Sequence, residues 1–139
     1  MTRAYIDTNI FCDVLLDRKQ FIYGSGNILE MCADGMLKGI SSSSSILNLL
    51  FIIKKIKGTV TAKRDIKNLL QLIQVVPVNE AIISSAIESD FSDTEDAVQY
   101  HCAIESDSKF IITRNKHDFR KSRIPVYTPE EFLERKKRK

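Results

Sequence analysis

Short, mostly uncharged apolar runs alternate with longer helical stretches along this chain, and that alternation leaves few folds open. Residues 3–6, 38–42, 75–78, 110–113 and 125–127 read as strands. Between them, residues 10–17, about 21–36, 44–57, 61–73, 80–88 and 94–106 read as helices. Gly58 suits the end of the third helix and Thr61 the cap of the fourth. A last helix opens at Thr128-Pro129-Glu130-Glu131, with threonine at the cap, proline in the first turn and acids behind it. Strands without charge at their centres, the first four separated from one another by helices, predict a parallel sheet covered on both faces. Right-handed crossovers make this a three-layer α/β/α sandwich with a five-stranded parallel sheet.

The chain's 139 residues suit one domain, residues 1–139, large enough to fold without disulfides or a structural metal. Cys12, Cys32 and Cys102 are odd in number and lack paired spacing, so reduced, buried thiols are expected. The N-terminus shows no basic-then-apolar leader, and the most apolar run, Ile46 to Ile53, is too short for a bilayer. A cytoplasmic protein with no membrane association is the expectation. The net charge of +3 comes largely from residues 134–139. Those cations either touch phosphates or suit the end of a solvated helix.

In a parallel α/β sheet, strand C-termini and the N-termini of the following helices share one edge. Asp7 follows the first strand, and Asn48 lies near the start of the helix after the second. Asp93 and Asp96 open the helix before the fourth strand, while Asn115 and Asp118 follow that strand directly. All six reach the same edge. Two carboxylates ~4 Å apart repel by about 4 kcal/mol at an effective dielectric of ~20. Such a group must take up protons or bind a cation, and oxygen ligands favour Mg²⁺ or Mn²⁺ over zinc. That ion can activate water and hold a phosphate oxygen, which equips a site for phosphodiester hydrolysis. Each residue also has a purely structural use. Asp7 could cap the next helix, Asp93 with Asp96 matches a capping box, and Asn115 and Asp118 suit turns.

Other chemistries lack their signatures. A haloacid dehalogenase phosphatase needs a second acid two residues after the first, where this chain has Asn9. No Gly-x-x-x-x-Gly-Lys loop, zinc-ligand spacing or Gly-x-Ser-x-Gly elbow occurs. Lys54, Lys55, Lys57, Lys63, Arg64 and Lys67 form either a phosphate-binding rim or a solvated helix face.

Asp7-Thr8-Asn9, Glu95-Asp96-Ala97, Ile112-Thr113-Arg114-Asn115 with Asp118-Phe119, and the C-terminal Val126-Tyr127-Thr128-Pro129-Glu130-Glu131-Phe132 together resemble the PIN-domain ribonucleases. The resemblance spans essentially the whole chain and is closest to the bacterial VapC-type branch. It implies strand order 3-2-1-4-5 and Mg²⁺- or Mn²⁺-dependent cleavage of single-stranded RNA by metal-activated water. It also implies homodimerisation and a toxin role beside a small antitoxin protein. The family's acids map to Asp7, Asp96 and Asp118 as catalytic residues, with Asp93, Asn115 and Asn48 as further metal ligands. Asn48 and Asn115 stand where many members carry acids. They favour the alternative of a weak or inactive nucleic-acid- or partner-binding module, against which Asp7, Asp96 and Asp118 argue.

Overall fold

The computed structural model describes residues 1–137. Its elements run β1 (Arg3–Ile6), α1 (Thr8–Leu15), α2 (Ile22–Ala33), β2 (Lys38–Ser42), α3 (Ser43–Lys57), α4 (Thr59–Leu69), β3 (Ile73–Val76), α5 (Glu80–Glu88), α6 (Thr94–Glu105), β4 (Phe110–Ile112), a 3₁₀ turn (Lys116–Phe119), β5 (Val126–Tyr127) and α7 (Pro129–Lys137). The five strands pair in parallel in the order β3-β2-β1-β4-β5, so the predicted three-layer α/β/α architecture and strand order both hold.

The period of two along each strand divides the core into two layers. Ala4, Ile6, Phe110 and Ile112 face one layer with Ile10, Phe11, Ile28 and Leu49. Tyr5, Ile40 and Ile111 face the other with Tyr100, Ala103 and Phe119. Gly39 is needed where α2 and β3 press on β2. A Cβ there would stand 2.7 Å from the Cys32 sulfur and 2.9 Å from Ile6 Cδ1.

Several boundaries differ from the sequence reading. The fourth helix begins at Thr59 rather than Thr61, because Gly58, at φ 90°, ends α3 and opens α4 in one residue. A threonine cap is then unnecessary. The third strand begins at Ile73 rather than Val75, and Ile73 pairs with Gly39. Polar Gln74 hides that start in the sequence, yet on this outer strand its side chain meets the Arg3 guanidinium at 3.5 Å. The first helix runs from Thr8 to Leu15, not 10 to 17, and Asp17 lies outside it with φ 51°. The final helix has its expected cap: Glu131 N–H donates to Thr128 Oγ1 at 3.1 Å, and Thr128 N–H donates to Glu131 Oε1 at 2.9 Å. The basic run at its end is seen as far as Lys137, and Arg138 and Lys139 lie outside the described residues. Cys12, Cys32 and Cys102 are buried free thiols. Among the described residues no helix is long and apolar enough to cross a membrane.

Candidate active site

The strand order reverses at β1, which pairs with β2 on one side and β4 on the other. Chain connections diverge there and leave a crevice at the strands' C-terminal ends. Asp7 stands at its floor, its N–H donating to Ile112 O at 3.0 Å. It occupies the N-cap position of α1, but its side chain makes no capping hydrogen bond. The carboxylate turns instead toward neighbours across the crevice. Gln99 Nε2 donates to Oδ1 at 3.0 Å and Thr113 Oγ1 donates to Oδ2 at 2.7 Å.

Those donors are themselves held. Gln99 Oε1 has Tyr5 Oη at 3.1 Å, Thr8 Oγ1 at 3.3 Å and Ser45 Oγ at 3.3 Å. Burial pushes the Tyr5 pKa up, so its hydroxyl stays protonated as a donor. Thr113 Oγ1 accepts the Asn115 N–H at 3.0 Å. The orientation of Asp7 is thus fixed from β1, α3, α6 and the turn after β4. Only 7% exposed, Asp7 has its pKa raised by burial, with the hydrogen bonds from Thr113 and Gln99 opposing that rise.

The cleft above Asp7 has a volume of about 470 Å³ and is lined by Asn9, Asn48, Glu95, Asp96, Asn115 and Asp118, among others. Five of the six residues expected at this edge therefore line one cavity. The exception is Asp93. It is the N-cap of α6, where its Oδ1 accepts the Asp96 N–H at 3.1 Å. A carboxylate committed to a helix N-terminus is already stabilised by the free N–H groups and the macrodipole. The N-cap half of the capping-box alternative accounts for Asp93, and its influence on the cleft is through charge. The six cations from Lys54 to Lys67 are exposed and do not line the cleft, which fits a solvated helix face.

Asp96 feels the crowding most. Burial first, then the charges of Asp93, Asp7, Asp118 and Glu95, push its pKa from 3.8 up to about 7. The folded state therefore binds more protons than the unfolded chain between those values, and stability falls as pH rises. Asp96's contribution is fully present below about pH 4 and is lost as pH climbs through about 7. Melting temperatures of metal-free protein should decline over this window, and Asp96→Asn should flatten the decline. Equal slopes for the two proteins would show that Asp96 does not carry it.

The donor set suits a hard divalent cation. Apart from the Cys12 thiol its potential ligands are oxygens, it holds more negative charge than its one lining cation, Arg18, can balance, and buried Asn9 Oδ1 has no hydrogen-bond partner. Among the described residues, however, no three His, Cys, Asp or Glu side chains stand close enough to share an ion as they lie. Sharing an ion among three of these carboxylates would therefore require at least one side chain to shift, while Asp7 itself is held by Gln99 and Thr113.

A PIN domain model matches residues 3–117. The chain belongs to the PIN domain family. Within that family it is 28% identical over 138 residues to Ribonuclease VapC1 of Aquifex aeolicus (strain VF5), covering 96% of this chain and 94% of that one. Similar PIN folds occur in the toxin–antitoxin complex from Klebsiella pneumoniae, at TM-score 0.68 and 22% identity over 91% of this chain and 97% of that one. They also occur in VapBC2 from Rickettsia felis bound to a promoter DNA fragment, at TM-score 0.66 and 13% identity over 91% and 97%.

Sequence reasoning overlooked Gln99 and Arg18 in this PIN cleft, along with Cys12, Phe51 and Ile52 of its lining. Gln99 stands three residues after Asp96 in α6, one turn along the same face, so helical spacing was the available signal. Arg18 had none, since it reaches the cleft through the left-handed turn at Asp17.

Proposed function

We propose that this PIN domain is a divalent-metal-dependent endoribonuclease acting on single-stranded RNA. The observation that carries the proposal is the buried, rigidly oriented Asp7 beneath a cleft that also presents Glu95, Asp96 and Asp118. The ribonuclease relative named above supports it. Asp7, Asp96 and Asp118 are the proposed catalytic residues, and Asp7, Asp96, Asp118, Asn48 and Asn115 the residues that would hold Mg²⁺ or Mn²⁺. Such an ion supplies Lewis acidity, lowering the pKa of water and offsetting phosphate charge. The chain's own contribution is positional. Gln99 and Thr113 hold the Asp7 oxygens in one orientation, and a cation held in the cleft would favour the charged form of Asp96, whose pKa burial and neighbouring carboxylates raise to about 7. We further read the chain as a cytoplasmic toxin, working as a homodimer and silenced by a small antitoxin protein. The toxin–antitoxin complexes among its structural neighbours support that partner.

The second reading is a PIN module that binds RNA or protein without cleaving. It is favoured by the amides of Asn48 and Asn115 in the cleft lining, where an acid would add a full charge. A carboxylate ~4 Å from a cation gains about 4 kcal/mol at an effective dielectric of ~20, before desolvation. A surviving ~1.4 kcal/mol is tenfold in metal affinity.

A Mn²⁺ titration of RNA cleavage by the parent and Asn48→Glu separates the readings. The parent should cleave, leaving 5′-phosphate and 3′-hydroxyl ends, because water is the nucleophile and the 3′-oxygen leaves, taking up a proton. Asn48→Glu should reach the same rate at roughly tenfold lower Mn²⁺. Binding of metal and RNA with no cleavage by either protein would favour the module, and 2′,3′-cyclic phosphate ends would contradict the mechanism.

A further inference from the structure

Arg18 is the one lysine or arginine lining the cleft among the described residues. The turn that delivers it is specifically built. Asp17 takes a left-handed conformation, φ 51°, which a residue with a side chain adopts at a cost. Arg18 N–H then donates to Asp13 O at 2.9 Å, and Arg18 O accepts from Phe21 and Ile22 N–H, each at 2.9 Å. The backbone is pinned while the side chain stays 42% exposed.

Its apparent partner does not use it up. Asp13 is fully buried, and its Oδ2 accepts Arg114 Nε at 2.7 Å and Ser25 Oγ at 2.8 Å. Arg114 Cζ sits over the Phe21 ring, 3.8 Å from its centre, so the Asp13–Arg114 pair is complete without Arg18. Arg18 Nη1 is 3.7 Å from Asp13 Oδ1, and that oxygen accepts no hydrogen bond. The contact is beyond hydrogen-bond reach, so it does not commit the 42% exposed Arg18 side chain to buried Asp13. It does tether the guanidinium beside the cleft with its fork of donors free.

An RNA strand entering this cleft meets four carboxylates, Asp7, Glu95, Asp96 and Asp118, and, among the described residues, one cation to receive its phosphates. We infer that Arg18 is a phosphate-binding residue of the cleft, its guanidinium gripping a backbone phosphodiester of single-stranded RNA as the strand crosses above Asp7. The planar fork matches two phosphate oxygens at once, which a lysine cannot do. The inference rests on the RNA reading of the cleft but not on cleavage.

The test is fluorescence anisotropy with a labelled single-stranded oligoribonucleotide in millimolar Ca²⁺, over a series of KCl concentrations. Parallel Mn²⁺ cleavage assays use the same proteins. Arg18→Gln should weaken binding about tenfold and lower the slope of log K against log salt by about 0.7, the signature of one lost phosphate contact on a single strand. Arg18→Lys should keep the slope yet recover only part of the affinity. It also guards against misfolding of the neutral variant, since it preserves charge near Asp13. Lys109→Ala, an exposed cation at the opposite edge of the sheet, should match the parent. If Arg18→Gln binds like Lys109→Ala while the parent binds and cleaves, the assignment of Arg18 is wrong and the ribonuclease reading stands. If Arg18→Gln loses binding but no protein cleaves, Arg18 stands and the ribonuclease reading falls. If the parent does not bind RNA at all, both fall.

Discussion

Asp13→Ala should cost about 3–5 kcal/mol of folding stability, the range for removing one partner of a buried ion pair. Asp13 has no exposed surface. Its carboxylate joins α1 to Ser25 of α2 and to Arg114, just after β4. Truncation leaves the guanidinium of Arg114, only 19% exposed in the native fold, without its anion and Ser25 without its acceptor. Unmet buried groups are where single substitutions do most damage. The loss is a large fraction of the roughly 5–15 kcal/mol typical of a whole domain. Urea unfolding should move the midpoint down at unchanged m-value. Asp13→Asn, which keeps an acceptor oxygen and the shape, should cost less. If Asp13→Ala unfolds within about 1 kcal/mol of the parent, water fills the site and the pair is not what joins these segments.

Asp13 also shows where sequence reading reaches its limit. The sheet was legible because buried parallel strands must be apolar runs and their order follows from the family resemblance. Asp7, Asn48, Asp96, Asn115 and Asp118 were legible as cleft residues because strand ends and helix starts share an edge. Asp93 was legible only as one of two alternatives, since an acid at the start of α6 serves as a cap as readily as a ligand. Asp13 and Arg114 are 101 positions apart, and no periodicity links them. Arg18 depends on a single left-handed residue, and Ile73 was hidden by the polar Gln74 beside it. What a sequence shows poorly is any contact set by loop direction rather than by the repeat of an element.

Asp7→Asn should abolish cleavage while leaving the protein folded. The substitution removes one negative charge from the cleft floor and keeps the side chain's shape. The amide that replaces the carboxylate can still accept from Gln99 and can donate to Thr113 Oγ1, so the network that fixes this position survives. Burial already raises the Asp7 pKa, meaning that the charged form is disfavoured in the metal-free fold. A neutral amide should therefore leave the melting temperature in EDTA equal or higher. The function that needs the charge is lost instead. About 4 kcal/mol of attraction to a nearby cation, at an effective dielectric of ~20, corresponds to roughly a thousandfold in affinity before desolvation reduces it. A loss of at least about a hundredfold in cleavage rate at fixed Mn²⁺ is the expected result.

The most direct test of the cleft as a metal-dependent nuclease site is single-stranded RNA cleavage by the parent and Asp7→Asn, side by side across a Mn²⁺ series that begins in EDTA. The account predicts no cleavage in EDTA, a rate for the parent that rises and saturates with Mn²⁺, and a flat baseline for an equally well folded Asp7→Asn. Cleavage that persists in EDTA, or an Asp7→Asn protein as fast as the parent at every Mn²⁺ concentration, would contradict it.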